Sequence, residues 1–243
     1  MKAPDKYLLA LADGLEKCKR CQFWKSGHCF YGLNQRPRFM IIMQNPGSPK
    51  NTRKLDEEIR LLGKAKTSKA KILIWQKFLK EWILDENRKF FSNFFKEMRQ
   101  LKLVKFSELD SYVTSNRIFN DFHFTDAVKC RARTEDLQKD KNSFCKCFDS
   151  FLREEIDYLK PRLIFAFSTR TWAILRDRMK LEPVAPVQRW SLAQSHGRLF
   201  KYGRNQFVMP LAHMSKKMLN FYLRDSYFTF FNEGLKGYVS ETQ

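Results

Sequence analysis

No apolar run in this 243-residue chain reaches the roughly 18 residues that a helix needs to cross a bilayer. The amino-terminal segment has no secretory pattern, because Asp5, Lys6, Asp13, Glu16 and Lys17 interrupt Leu8-Leu9-Ala10-Leu11-Ala12. There is no internal repeat and no Gly/Ser linker, and the length suits one large domain or two small ones. Acidic residues are scarce: 26 Asp and Glu face 46 Lys and Arg, a formal net charge of +20. The missing span and secretory pattern lead to the expectation of an intracellular protein with no membrane partner; a monomer is expected. In that compartment six cysteines point to metal binding or redox chemistry before disulfides.

An uncompensated positive charge repels itself, and its natural partner is a polyanion. The basic residues are spread through Arg53-Lys54, Lys64 to Lys71, Lys102 to Lys105, Arg131 to Arg133 and Lys216-Lys217. That distribution predicts a basic face assembled by folding, with nucleic acid as the expected partner. A hydrophobic content of 43% with 23 phenylalanines is ample for a packed core.

Residues 5–17 read as a short amphipathic helix that delivers Cys18 and Cys21. Phe39 to Met43 is a short apolar run ended by Asn45-Pro46-Gly47, the pattern of a buried strand and a tight turn. A basic helical stretch, read as an insertion, follows at about 51–115. Within it Phe90, Phe91, Phe94, Phe95, Met98 and Leu101 keep helical spacing and are expected to face the core. Further strands are expected at Phe122 to Val128, Leu163 to Phe167 and Gln206 to Pro210, with helices between and a long helical carboxyl-terminal stretch. Strands alternating with helices define an α/β class: a three-layer αβα fold around a short, mainly parallel four-stranded sheet. In such sheets the site lies beyond the carboxyl ends of the strands, and Asn45, Asp126 and His213 each fall at such an end.

Cys18-Lys19-Arg20-Cys21 together with Cys130 and Cys147 has the spacing of a four-thiolate cage. Four thiolates suit either an iron–sulfur cluster or structural zinc.

The order of these pieces resembles the uracil-DNA glycosylase superfamily, in particular its iron–sulfur (family 4-type) branch. Thr125-Asp126-Ala127-Val128-Lys129-Cys130-Arg131 is similar to that branch's Thr-Asn-x-Val-Lys-Cys-Arg segment. Cys147 followed by Phe151-Leu152 and Leu159-Lys160-Pro161 resembles its fourth-cysteine helix. Leu211-Ala212-His213-Met214-Ser215 resembles its His-Pro-Ser motif, with Met214 in place of proline. The first motif departs from the branch, because Asn45-Pro46-Gly47 is closer to the mismatch-specific and single-strand-selective glycosylases.

The resemblance implies a single domain over 1–243, a monofunctional DNA glycosylase that flips out and excises uracil or another deaminated base. Asn45 would orient the attacking water and His213 would donate to uracil O2. The segment from Met214 to Leu219 itself sets phosphate donors beside apolar wedge candidates, which makes Ser215, Lys216, Lys217 and Met218 candidate DNA contacts; the plainer reading of the segment is an ordinary helix start. The resemblance favours a [4Fe–4S] cluster on Cys18, Cys21, Cys130 and Cys147 over zinc, with Cys145 the rival to Cys147 and Cys29 a spare. Asp126 stands where the family has an asparagine that reads the base edge. An ionised aspartate only accepts hydrogen bonds, so altered substrate choice is expected unless burial protonates it. The plainer reading of Asp126 is a solvated residue at a strand end. Two other functions suit the chain: a catalytically inactive nucleic-acid binder of the same fold, and a zinc-type RNA-binding or RNA-processing protein.

Overall fold

A computed structural model of the chain describes residues 5–20, 31, 36–44, 52–130, 141–187, 189, 191–213 and 226–243. Its centre is a sheet of order β2-β1-β3-β6-β5-β4, formed by β1 (Phe39–Met43), β2 (Phe122–Asp126), β3 (Leu163–Phe167), β4 (Glu182–Pro183), β5 (Phe200–Gly203) and β6 (Gln206–Leu211). The four strands expected from the sequence are all parallel to one another. The expectation of four strands is corrected by β5 and β4, which extend the sheet antiparallel beyond β6 to make six. β5 and β6 are joined at Arg204-Asn205, so the pair is a tight hairpin. Only part of β5 is buried, and that mixed pattern gives it no apolar run to read.

Helices cover both faces. On one face α4 (Arg88–Gln100) buries Phe90, Phe91, Phe94, Phe95 and Met98, the stripe predicted from its spacing. Phe94 meets the strands through Phe165 at 5.1 Å and stacks on Phe231 at 4.8 Å. Phe231 belongs to α11 (Tyr227–Thr242), the other helix on that face. The carboxyl-terminal half of the helical stretch at 51–115 is therefore part of the covering layer. Its first half, α2 (Thr52–Lys64) and α3 (Ser68–Glu81), is linked at the surface by Lys77–Glu57 at 2.8 Å. α3 runs on into a π turn, Trp82–Glu86, which Lys54 of α2 reaches through Asp85 at 2.7 Å. Two short helices, α5 (Leu109–Thr114) and α6 (Ile118–Asp121), lead into β2.

The opposite face is covered by α7 (Lys141–Cys147), a π turn (Phe148–Leu152) and α8 (Arg153–Leu159). Lys160 takes a left-handed conformation after α8, and Pro161 prevents the helix from resuming. α1 (Lys6–Glu16) is capped by Asp5, whose carboxylate accepts from the Tyr7 and Leu8 amides. It lies on α8: Tyr7 stacks on Tyr158 at 4.0 Å, and the Tyr158 hydroxyl donates to Asp5 at 2.7 Å. After β3 comes α9 (Thr169–Arg178), whose Trp172 packs on Phe200 at 4.7 Å. The last short helix is α10 (Leu192–Ser195).

Candidate active site at the carboxyl edge of the sheet

Parallel strands end on one side, so β1, β2, β3 and β6 deliver their carboxyl termini to a single edge. Met43 stands opposite Asp126 in the register. The ladder continues past both strands, with the Ala127 amide donating to Met43 O at 2.8 Å and the Val128 amide to Gln44 O at 3.0 Å. Met43 and Gln44 are thus held against the segment that follows Asp126. Asn45 itself, with Ser215, Lys216, Lys217 and Met218, lies outside the described residues.

Asp126 closes β2 and His213 follows β6 by two residues. The strand order puts three spacings between them, about 14 Å at about 4.8 Å per spacing. The structure therefore brings both residues to the same edge. His213 is half-buried, and its partial removal from water lowers its pKa and keeps the imidazole neutral near pH 7.

Asp126 is not a solvated strand end; it is completely buried. Neither of its oxygens has a well-formed hydrogen bond among the described residues. Burial pushes its pKa up to about 7, and the nearby Glu155 charge adds to the rise. Lys129 and the Tyr31 hydroxyl favour the charged form, but they do not overcome the burial.

Behind Asp126 lies a polar cluster on the α8 side of the sheet. Glu155 lies within 2.7 Å of His123 Nε2 and 2.5 Å of Lys129 Nζ. It also accepts from the Thr125 hydroxyl at 2.9 Å, while Lys129 Nζ donates to the same hydroxyl. A carboxylate only accepts, so His123 carries its proton on Nε2. Burial alone would raise the Glu155 pKa; Lys129 and His123 reverse this and hold it well below the usual carboxylate range. His123 and Thr125 point to one face of β2, so Asp126, one residue on, points to the other.

The two cysteines of α7, Cys145 and Cys147, lie on different sides of the helix. Cys147 and Cys130 are buried, whereas Cys145 is half-exposed and its thiol contacts the Arg178 guanidinium. Residues two apart on a helix face nearly opposite ways, which separates Cys145 from Cys147. Cys18 follows α1, and two residues later Arg20 donates to the Ser150 hydroxyl at 2.5 Å. The end of α1 is therefore drawn to the turn that follows Cys147. Among the described residues no three Cys, His, Asp or Glu side chains converge as a metal site, and Cys21 lies outside them.

Sequence reasoning assigned no role to Tyr31, His123, Lys129, Glu155 or His196. Glu155 had a readable signal, since it falls on the buried stripe of Leu152, Ile156 and Leu159 where a carboxylate needs a partner. Lys129 lies inside the quoted cysteine motif. Tyr31 and His196 had no such signal, because only the fold brings them to the site.

With this geometry in view, the uracil DNA glycosylase superfamily profile matches residues 30–236. The chain belongs to that superfamily. No curated protein gives a significant match to it.

Proposed function

We propose that the protein is a monofunctional DNA glycosylase that excises uracil or another deaminated base, with Asp126 reading the base edge and His213 stabilising the departing base. The observation that supports this most directly is the buried Asp126 carboxyl, which has no well-formed hydrogen bond among the described residues, at the carboxyl edge of the sheet of a superfamily member. A buried polar group left in that state is costly unless a ligand completes it.

Uracil presents an N3–H donor and an O4 acceptor side by side. A protonated carboxyl offers one acceptor and one donor, the same pair that an asparagine amide offers. With a pKa of about 7, Asp126 is substantially protonated at neutral pH and matches uracil in that form. Its ionised form accepts only, and favours a base edge that presents donors.

Cleavage of the C1′–N1 bond moves the bonding pair onto the base, where negative charge spreads to O2. The neutral His213 ring donates an N–H to that oxygen, which lowers the barrier through charge that develops only in the transition state. A water held by the Asn45 amide attacks C1′ and gives its proton to solvent. Flipping the base out requires a cationic surface for the backbone phosphates, which the +20 net charge supplies. Lys216, Lys217 and Ser215 are the candidate phosphate donors, with Met218 as the wedge.

Cys18, Cys21, Cys130 and Cys147 are the ligands proposed for a [4Fe–4S] cluster, whose contribution would be structural. Burial of Cys130 and Cys147, and the turning of Cys145 toward Arg178, support that choice of ligands.

The test is an excision panel of uracil, hypoxanthine, xanthine and thymine mismatches in single and double strands, read by alkaline cleavage. His213→Ala and Asn45→Ala serve as controls. Cleavage of at least one damaged base that both variants abolish supports the proposal. No cleavage on any base establishes the inactive binder instead.

A further inference from the structure

We infer that His196 and Tyr227 form a clamp on Ala212 that aims His213, making both of them positioning residues for the excision proposed above, a reading on which their catalytic value rests. Ala212 is the single residue between the end of β6 and His213. Its amide donates to His196 Nδ1 at 3.0 Å, and its carbonyl accepts from the Tyr227 hydroxyl at 3.0 Å. The third side of the triangle is His196 Nε2, 3.2 Å from the Tyr227 carbonyl. All three residues are buried, and the two rings lie 4.4 Å apart.

The tautomer follows from these bonds. Nδ1 accepts from an amide, so the ring proton sits on Nε2 and is donated to the Tyr227 carbonyl. Burial keeps the ring in this neutral form by lowering its pKa to about 4, against the weaker pull of the Tyr227 carbonyl.

The clamp does what the sheet no longer does at this point. The ladder between β3 and β6 ends with Ser168 N donating to Leu211 O at 3.0 Å, one residue short of Ala212. Fixing both the amide and the carbonyl of Ala212 fixes the peptide planes on either side of its Cα. The direction in which His213 leaves the sheet is set by those two planes.

His196 is itself rigidly held. The next amide, Gly197, donates to Pro210 O at 2.9 Å. Gly197 has a φ of 73°, and a Cβ there would lie 2.4 Å from the Phe230 carbonyl oxygen. A Cβ on Gly234 would lie 1.8 Å from the Gly197 carbonyl oxygen. Both positions require glycine, and both press the His196 loop onto α11. Nothing in the chemistry of base excision requires His196 at the substrate; one ring nitrogen holds the Ala212 amide that leads into His213, and the other is anchored on the Tyr227 carbonyl of α11.

The experiment uses the substitutions that separate the two ring nitrogens. Asparagine places its carbonyl oxygen near the position of Nδ1, and glutamine places its amide near that of Nε2. His196→Ala is expected to slow single-turnover excision by about 10- to 100-fold with little change in substrate affinity, the scale of a misplaced catalytic group. His196→Asn is expected to recover most of the rate, and His196→Gln is not. A structural role alone would not rank the two amides in this way. Excision by His196→Ala within twofold of wild type, or equal rates for Asn and Gln, overturns the clamp. Amide exchange at Ala212 judges it without any activity: slow in wild type and His196→Asn, and fast in His196→Ala. If wild type excises no base, the glycosylase reading falls, and Ala212 exchanging equally fast in all four proteins overturns the clamp as well.

Discussion

Replacing Glu155 with leucine is the most decisive perturbation of the fold beneath the site. Glu155 and Lys129 are both fully buried, with Nζ 2.5 Å from the carboxylate. The same carboxylate holds His123 at 2.7 Å and Thr125 at 2.9 Å. Leucine keeps the volume but leaves the Lys129 ammonium in the interior with its counter-charge gone. Removing one partner of a buried pair costs about 3–5 kcal/mol. Against a typical domain stability of about 5–15 kcal/mol, that is a large share. For a chain of this length it corresponds to a fall in Tm of about 6–20 °C. The assay is urea denaturation followed by circular dichroism and tryptophan fluorescence at pH 7. The double variant Glu155→Leu/Lys129→Met removes both charges and is expected to recover most of the loss. A loss below about 1 kcal/mol in the single variant, or a double variant no more stable than the single, refutes the reasoning. The pH dependence has a definite sign. The folded-state pKa of Glu155 lies below its ordinary value of 4.5, so its contribution is present above that pH and is lost as pH falls toward the folded value.

Other outcomes test the site itself. Asp126 has a folded pKa raised to about 7, so uracil excision is expected to fall as pH rises through about 7, and Asp126→Asn to flatten that limb; identical profiles and identical base preferences in the two proteins would end this assignment. The same shift has a stability sign opposite to that of Glu155, because burial penalises the charged form: Asp126→Asn should gain stability relative to wild type as pH rises from about 4 to 8, and a constant difference would contradict it. Purified under anaerobic conditions, the protein is expected to absorb visible light, with the absorbance lost in Cys147→Ala and kept in Cys145→Ala; a colourless zinc protein would reject the iron–sulfur assignment. Affinity for DNA is expected to fall linearly on a log–log plot against salt, and salt-independent binding would remove the role given to the net charge.

The sequence by itself determined the elements whose local pattern and burial agree. β1 and β3 are continuous apolar runs because both faces of a parallel strand are covered, and the α4 stripe reads as core because its phenylalanines recur once per turn. Order along the chain then put Asp126 and His213 at strand ends, which the parallel register makes one edge. Other features depended on contacts far apart in sequence. β4 and β5 pair with a neighbour that no local pattern names. Burial of Asp126 is set by the residues of other elements that close over it, so its change from solvated acid to a group titrating near pH 7 was invisible in the chain. His196 meets Ala212 from 16 residues away and Tyr227 from 31 away. A lone histidine in a loop carries no sign of such partners. Residue type supplied the chemistry available at the site, and tertiary structure alone decided which of those groups are dry, which are paired, and what each of them faces.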